Sequence, residues 1–209
     1  MKIAIIQATS QSDKNALLEQ CLNEVVDTSS NEIINFGTFP GEAQCFSYVE
    51  IALMCSFLLE SKSVDFIVTG CSSGQGMMLA CNSLPGILCG YAPTPQDAYL
   101  FGRINNGNAV SLPLGLNFGW AGELNLKNTL RALFEEPFGI GYPRADADRK
   151  IADSKRVKEF GKLTKRTLPD IVPGLDTELL QKVLSRKNVF DYIKLHGQKD
   201  ILSEIARYI

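Results

Sequence analysis

The chain has 209 residues, of which 45% are apolar and 21% are charged, and its formal net charge is -2. Such a composition is ordinary for a globular protein with a sizeable core, and the small net charge argues against nucleic acid as a partner. No apolar run approaches the roughly 18 residues that a membrane span needs, and Met1 to Ile6 run into polar Gln7 without a cleavable signal pattern. We expect a cytoplasmic protein, with no membrane partner, that binds a small neutral or anionic molecule.

The first two thirds of the sequence alternate short apolar strands with helices. The expected strands are residues 2–6, 32–36, 65–69, 86–90 and 109–112. The expected helices are residues 13–27, 48–60, 75–82, 95–103 and 123–134, the first with Ser12 as its N-cap. Each helix has to bury an apolar stripe against the sheet. The pattern therefore predicts an α/β fold: a three-layer α/β/α Rossmann-like domain with a five-stranded parallel sheet.

The character of the sequence changes at about residue 140. Strand signals stop, Lys and Arg become frequent, and helices are expected at residues 150–162, 177–186, 189–196 and 201–209. Pro169 and Pro173 interrupt this segment. We expect two parts, an α/β/α domain over residues 1–140 and a helical C-terminal extension over residues 141–209.

The six cysteines do not suggest a disulfide framework or a zinc site. They are dispersed without a CxxC pair, and the chain has one histidine, His196. We expect no bound metal and no cofactor. Five of the cysteines, at positions 21, 45, 55, 81 and 89, are expected to be small core residues, which leaves Cys71 as the candidate for chemistry.

Cys71 lies where the third expected strand meets a turn of small residues, Ser72 to Gly76, and a helix follows at once. In an open parallel sheet, ligands bind outside the carboxyl ends of the strands. The loops of residues 7–11, 37–39 and 91–95 should share that edge. Free N–H groups at a helix start favour an anion or a developing oxyanion, and the same dipole lowers the pKa of a thiol. Cys71 is therefore a candidate base or nucleophile.

The glycines of this turn also allow a nucleotide-binding interpretation, but only weakly. The turn follows the third strand rather than the first, and it lacks Gly-x-Gly-x-x-Gly and the Walker lysine. No acidic residue ends the next strand.

Several motifs are in register with one known family. They are Cys71-Ser72-Ser73-Gly74-Gln75-Gly76, Ala80-Cys81-Asn82, Pro85-Gly86-Ile87, Asn35-Phe36-Gly37-Thr38, Asn105-Asn106-Gly107-Asn108 and Ala121-Gly122-Glu123-Leu124. Over about residues 1–145 the chain resembles the type B ribose 5-phosphate isomerases and the galactose 6-phosphate isomerase subunits, in a long subgroup with a C-terminal extension.

The resemblance implies an aldose–ketose isomerase that acts on a sugar phosphate or an open-chain sugar acid through an enediolate. It implies that Cys71 is the base, that the amides of residues 72–76 form the oxyanion hole, and that Ser73 relays the hydroxyl proton. Asn82 matches an asparagine that is structural. The family also implies at least a homodimer, with the site completed by the partner subunit. The expected substrate-binding residues are Ser72, Gly74, Gln75, Gly76, Asn105, Gln7, Thr9, Arg144 and Arg149.

The sequence departs from the family where a sugar ring is opened. The family's Asp-His pair falls on Ala8 and Thr9, and its later histidine falls on Ile104. Gln7, Thr9 and Gln11 are candidates to replace that pair by hydrogen bonding. These departures favour a substrate that is already open-chain, such as a keto-uronate or a deoxy-ketose. The alternative is a non-catalytic sugar or sugar-acid binding protein that has kept the oxyanion cradle.

Overall fold

A computed structural model describes residues 1–199, 202 and 203. Its sheet has five parallel strands in the order β2-β1-β3-β5-β4. The strands are β1 (Lys2–Ile5), β2 (Glu32–Asn35), β3 (Phe66–Cys71), β4 (Cys89–Tyr91) and β5 (Ala109–Pro113). The expected five-stranded parallel sheet is confirmed.

Nine α-helices lie within the described residues. They are α1 (Asn15–Val25), α2 (Tyr48–Glu60), α3 (Gln75–Asn82), α4 (Pro95–Leu100), α5 (Gly122–Phe134), α6 (Ala147–Thr164), α7 (Leu168–Ile171), α8 (Thr177–Leu184) and α9 (Lys187–His196). Short 3₁₀-helices cover Thr9–Lys14, Arg144–Asp146 and Val172–Gly174, and a π-helix covers Phe101–Asn105. None of these described helices is both long enough and apolar enough to cross a membrane.

Alternation along the buried strands divides the core into two layers of side chains. Ile3 and Ile5 face one side of the sheet, whereas Ala4 and Ile6 face the other, because successive strand side chains point to opposite faces. Helices α1, α4 and α5 cover the first face, and α2 and α3 cover the second. The three-layer α/β/α arrangement expected from the sequence is therefore confirmed.

The helices after residue 140 are not equally attached to the rest of the chain. Helix α6 buries only Ser154, whereas α7, α8 and α9 pack on α2. Their apolar residues join the core on that face, where Val183, Phe190 and Ile193 are at most 3% exposed. The segment is helical, as expected, and its last three described helices share the core of the α/β/α domain. The helix expected at residues 201–209 falls almost wholly outside the described residues.

Several expected boundaries are wrong, for local reasons. Ser12 is not an N-cap, because Thr9–Lys14 is a 3₁₀-helix and α1 begins only at Asn15. Strand β4 begins at Cys89 rather than residue 86, because Asn108 binds the N–H of Leu88 and the carbonyl of Gly86 and holds that segment in a turn.

Helix α4 is shorter than expected. After Leu100 it continues as the π-helix Phe101–Asn105, which stops before Asn106, whose φ is 51°. Cys45, expected in the core, is exposed in the loop after β2.

Candidate active site

The ends of β1 and β2 are tied together at the carboxyl edge of the sheet. Thr9 is the central residue: its N–H donates to the carbonyl of Phe46 at 3.0 Å, and its hydroxyl accepts from the N–H of Phe46 at 2.9 Å. The hydroxyl of Thr38 donates to that of Thr9 at 3.2 Å. Thr9 therefore helps to build the edge, and its hydroxyl already has two partners there.

Cys71 is the last residue of β3 and lies beside Pro113 of β5 in the parallel register. It is 8% exposed and belongs to the apolar cluster that contains Ala8, Phe46 and Met77. The thiol therefore lies at the carboxyl edge, on the face of the sheet that α2 and α3 cover. The buried position restricts water and strengthens the electrostatic effect of nearby dipoles.

The turn after Cys71 leaves its amide groups free. Gly74 has a φ of 76° and precedes α3, and its carbonyl accepts from the hydroxyl of Ser111 at 2.6 Å. Within the described part of the chain, the N–H groups of Ser72, Ser73 and Gly74 have no protein acceptor. The first N–H groups of α3, from Gln75 and Gly76, add to this set because a helix start leaves them without an intrahelical partner. The turn is a ready cradle for negative charge.

Asn82, at the other end of α3, has a structural position. Its side chain donates to the carbonyl of Cys89 at 2.8 Å and accepts from the N–H of Cys89 at 2.9 Å. It therefore fixes α3 against the start of β4.

A further loop, which the sequence did not indicate, lies at the same edge. The N–H groups of Gly115 and Leu116, after β5, donate to the carbonyl of Ser72 at 3.0 and 2.7 Å. The side chain of Gln11 donates to the hydroxyl of Ser72 at 2.9 Å and to the carbonyl of Ser10 at 2.8 Å. Strand order was the missing signal, because β5 lies next to β3 although it comes last in the sequence.

Gln7 lies below the edge rather than on it. Its side chain is fully buried, and its amide donates to the carbonyl of Thr38 at 3.4 Å. In this arrangement Gln7 supports the loop that carries Thr38 and is not exposed at the edge. Ala8 and Ile104, the positions where the resemblance implied ring-opening residues, are buried and half-buried.

Asn105, Arg144 and Arg149 are not near Cys71 in the same chain. Asn105 ends the π-helix before β5, at the amino edge of the sheet, whereas Cys71 pairs with the last residue of β5. Strand β5 alone separates the two edges by roughly 13 Å. Asn105 borders a cavity of about 530 Å³ between β4 and α6. The two arginines are exposed at the start of α6, where Arg149 pairs with Asp146 and Asp153.

The single histidine of the chain, His196, lies in the C-terminal extension and contacts none of these groups. His196 ends α9, where its ring stacks on Tyr192 with the ring centroids 4.2 Å apart. The polar side chains around Thr9 and the Cys71 turn are hydroxyls and amides, from Thr9, Gln11, Thr38 and Ser72. This part of the carboxyl edge therefore presents a thiol, neutral polar groups and free backbone N–H groups.

These features define a parallel-sheet α/β protein in which a buried thiol precedes a turn of free backbone N–H groups. A family model described as Ribose/Galactose Isomerase matches residues 3–137. The chain therefore belongs to the ribose/galactose isomerase family, whose members are aldose–ketose isomerases. The resemblance inferred from the motifs is confirmed.

Two solved structures are similar over the whole length of the chain. One is a 4-deoxy-L-threo-5-hexosulose-uronate ketol-isomerase complexed with a tartrate, with 37% identity, a TM-score of 0.92, and coverage of 99% of this chain and 98% of that one. The other is the ribose-5-phosphate isomerase LacAB_rpiB from Vibrio parahaemolyticus, with 34% identity, a TM-score of 0.93, and coverage of 100% and 99%.

A shorter ribose 5-phosphate isomerase from Thermotoga maritima shares the fold alone. Its identity is 24% and its TM-score 0.58, and the match covers 97% of that chain but 74% of this one. No curated protein matches the chain significantly.

Proposed function

We propose that the chain interconverts an aldose and a ketose through an enediolate, with Cys71 as the base and the amides of residues 72–76 as the oxyanion hole. One observation carries the proposal: the thiol at the end of β3 is followed at once by three N–H groups that have no acceptor among residues 1–199, 202 and 203. A base beside preorganised donors is what proton abstraction next to a carbonyl requires, because the negative charge develops on the carbonyl oxygen.

The proton transfers balance without another reactant. The Cys71 thiolate takes the proton from the carbon next to the carbonyl, and the electron pair of that C–H bond forms the enediolate, whose oxyanion the turn binds. Cys71 then returns the proton to the former carbonyl carbon. The hydroxyl proton moves from one oxygen to the other through Ser73, whose hydroxyl has no hydrogen-bond partner among the described residues and is free for this relay.

We infer that the substrate is an open-chain sugar acid rather than a cyclic sugar phosphate. Ring opening needs an acid and a base beside the ring oxygen, and neither Ala8 nor Ile104 can supply one. The only imidazole is on α9, stacked on Tyr192. The full-length neighbour that acts on a hexosulose-uronate supports a substrate that carries a carboxylate and a free carbonyl. Backbone N–H groups and amide side chains can bind both.

We also propose that the site is completed by a second copy of the chain. Asn105 lies at the amino edge of the sheet and Arg144 and Arg149 at the start of α6, all away from the edge that carries Cys71. In a symmetric dimer each chain can give its Cys71 turn to one site and these residues to the other. Arg144 and Arg149 then supply the cations for the carboxylate.

The test is exchange of the carbon-bound proton in D₂O, followed by NMR with open-chain sugar acids, sugar phosphates and cyclic sugars. We expect exchange with an open-chain sugar acid, and we expect Cys71→Ala to slow it roughly 100- to 10,000-fold, the range for loss of a general base. The matched control is Cys21→Ala, on α1 and on the other face of the sheet, which should exchange at the wild-type rate.

Equal rates for Cys71→Ala and the wild type would refute the base assignment. Tight binding of sugar acids without any exchange would instead establish the non-catalytic binding protein. Faster exchange with a cyclic sugar phosphate would overturn the substrate class.

A further inference from the structure

The C-terminal helices place one buried cation at the carboxyl edge of the sheet. Arg186, just before α9, is 7% exposed. Its guanidinium donates to the carbonyls of Phe36 and Gly37 at 3.1 and 2.9 Å and to the Glu42 carboxylate at 2.6 Å. The ring of Phe46 lies 5.8 Å from the guanidinium carbon. All four partners belong to residues 36–47, the β2–α2 loop.

Two neighbouring residues of the extension hold the same region. The hydroxyl of Ser185 accepts from the side-chain amide of Gln44 at 3.1 Å. Lys182 pairs with Glu50 at 2.8 Å, and Glu50 closes the capping box of α2 with Ser47. The extension therefore contacts both halves of the β2–α2 loop and also helix α2, which follows the loop.

The β2–α2 loop in turn borders the Cys71 turn. Thr38 and Phe46 of the loop bind Thr9, which follows Ala8 at the end of β1. Directly after the loop, the ring of Tyr48, the first residue of α2, would lie 3.5 Å from a Cβ placed on Gly76. The loop thus passes from the end of β2, along Thr9, to the helix start that carries the proposed oxyanion hole.

The conformation of this loop depends on its side-chain contacts, because it contains no helix or strand between Asn35 and Tyr48. A planar guanidinium presents five N–H donors in a fixed fork and here binds two successive carbonyls and a carboxylate, whereas an ammonium group has three donors and no such fork. Hydrogen bonds that involve a charged group are also about twice as strong as neutral ones. Arg186 is therefore the group best placed to hold the loop in one position.

We propose that Arg186 is a positioning residue for the isomerisation, and that through it the C-terminal extension fixes the β2–α2 loop as one wall of the sugar site. The inference rests on the proposed function of the Cys71 turn. It assigns a task to the extension: setting how closely the site encloses its substrate.

The experiment compares Arg186→Gln, Arg186→Lys and the wild type in full-length protein. Steady-state isomerisation of an open-chain sugar acid is measured with backbone hydrogen exchange by mass spectrometry. We expect Arg186→Gln to raise KM about 10-fold or more while kcat changes less than about 3-fold, because substrate positioning is lost and the base is intact. Arg186→Lys should fall between the two, and exchange should rise in residues 8–11 and 36–47 but not in α5. Arg166→Gln, an exposed arginine of the same extension, is the matched control and should change neither measurement.

Each outcome decides the inference. Faster backbone exchange in the loop with unchanged KM would overturn it, as would unchanged exchange in the loop. If Arg186→Gln does not fold, Arg186→Lys and Glu42→Gln carry the test, since each keeps part of the contact set; wild-type KM and loop exchange in both would overturn the inference. If the wild type exchanges no carbon-bound proton with any sugar, the proposed function itself is refuted. This result is distinct from any effect of a variant.

Discussion

At the scale of single residues, the features of the site depend on what surrounds each group. Cys71 is one of five buried cysteines, and it differs from the others by its place at the end of a strand, before free N–H groups. Gln11 binds the hydroxyl of Ser72, while Gln7, two residues before Thr9, is buried beneath the edge. Identical residue types four positions apart therefore have different tasks, which their hydrogen-bond partners decide.

A pH dependence of stability is expected from the pair of Glu42 and Arg186. The hydrogen bond from Arg186 lowers the pKa of Glu42 below its ordinary value. The pair therefore stabilises the fold fully above the unfolded pKa of about 4.3. This stabilisation is lost as the pH falls through the lower pKa of the folded state. Glu42→Gln should flatten the acid side of the curve of unfolding free energy against pH. Urea unfolding between about pH 3 and pH 7 measures it. An unchanged acid side would contradict the assignment.

At the scale of elements, the strand–turn–helix unit of β3 and α3 carries the proposed chemistry, and its backbone allows few alternatives. Gly74 has a φ of 76°, which only glycine adopts easily. A Cβ there would lie 2.8 Å from the ring of Tyr91 and 2.9 Å from the carbonyl carbon of Leu112. The turn is thus held by close contacts with β4 and β5 as well as by its own conformation.

Gly74→Ala is therefore expected to destabilise the protein by about 1–3 kcal/mol, the usual effect of a non-glycine residue forced into the left-handed region. It should also slow C–H exchange, because the free N–H groups move. Gly161→Ala is the matched control: a Cβ there meets nothing within 4 Å, and α6 should gain stability of roughly 0.5–1 kcal/mol. Thermal unfolding and the D₂O assay measure both effects. Wild-type stability and activity in Gly74→Ala would show that the turn conformation is not required.

At the scale of the whole molecule, the residues suggested by the family divide between two edges of the sheet. The Cys71 turn and Thr9 are at the carboxyl edge, and Asn105 is at the amino edge. Within one chain, β5 separates the Cys71 turn from Asn105, and four of the five residues of β5 are buried. One substrate molecule therefore cannot contact both groups in the same chain. The division therefore supports the proposed symmetric dimer and predicts complementation between chains.

Cys71→Ala and Asn105→Ala should each lose activity alone and recover it when the two chains are mixed. In a mixed dimer one of the two sites has both halves intact. Random assortment then restores about a quarter of the wild-type exchange rate. The control mixture of Cys71→Ala with Ser73→Ala should recover nothing, because both changes affect the same half. Failure of the first mixture to recover activity, with mixed dimers shown by native mass spectrometry, would contradict a shared site.

The sequence by itself determined the fold class, the family and the place of Cys71. These follow from local patterns: short apolar strands, helices with one apolar face, and a motif without gaps from Cys71 to Ile87. Such patterns record secondary structure and turn chemistry, which depend on neighbours along the chain. The start of β4 escaped this reasoning because a distant side chain, that of Asn108, binds the backbone of Gly86 and Leu88. Ser12 is a false N-cap because Thr9–Lys14 forms a 3₁₀-helix before α1 begins.

The tertiary structure decided which groups share an edge. It placed the N–H groups of Gly115 and Leu116 on the carbonyl of Ser72 and buried Gln7. It also separated Asn105 from Cys71. Finally, it brought Arg186 into contact with a loop that begins 150 positions earlier in the sequence. Strand order and packing across the sheet bring these groups together or keep them apart, and neither is written in the local periodicity. The sequence motif therefore predicts the Cys71 turn. The residues that surround this turn come from other strands and loops and are decided only by the folded structure.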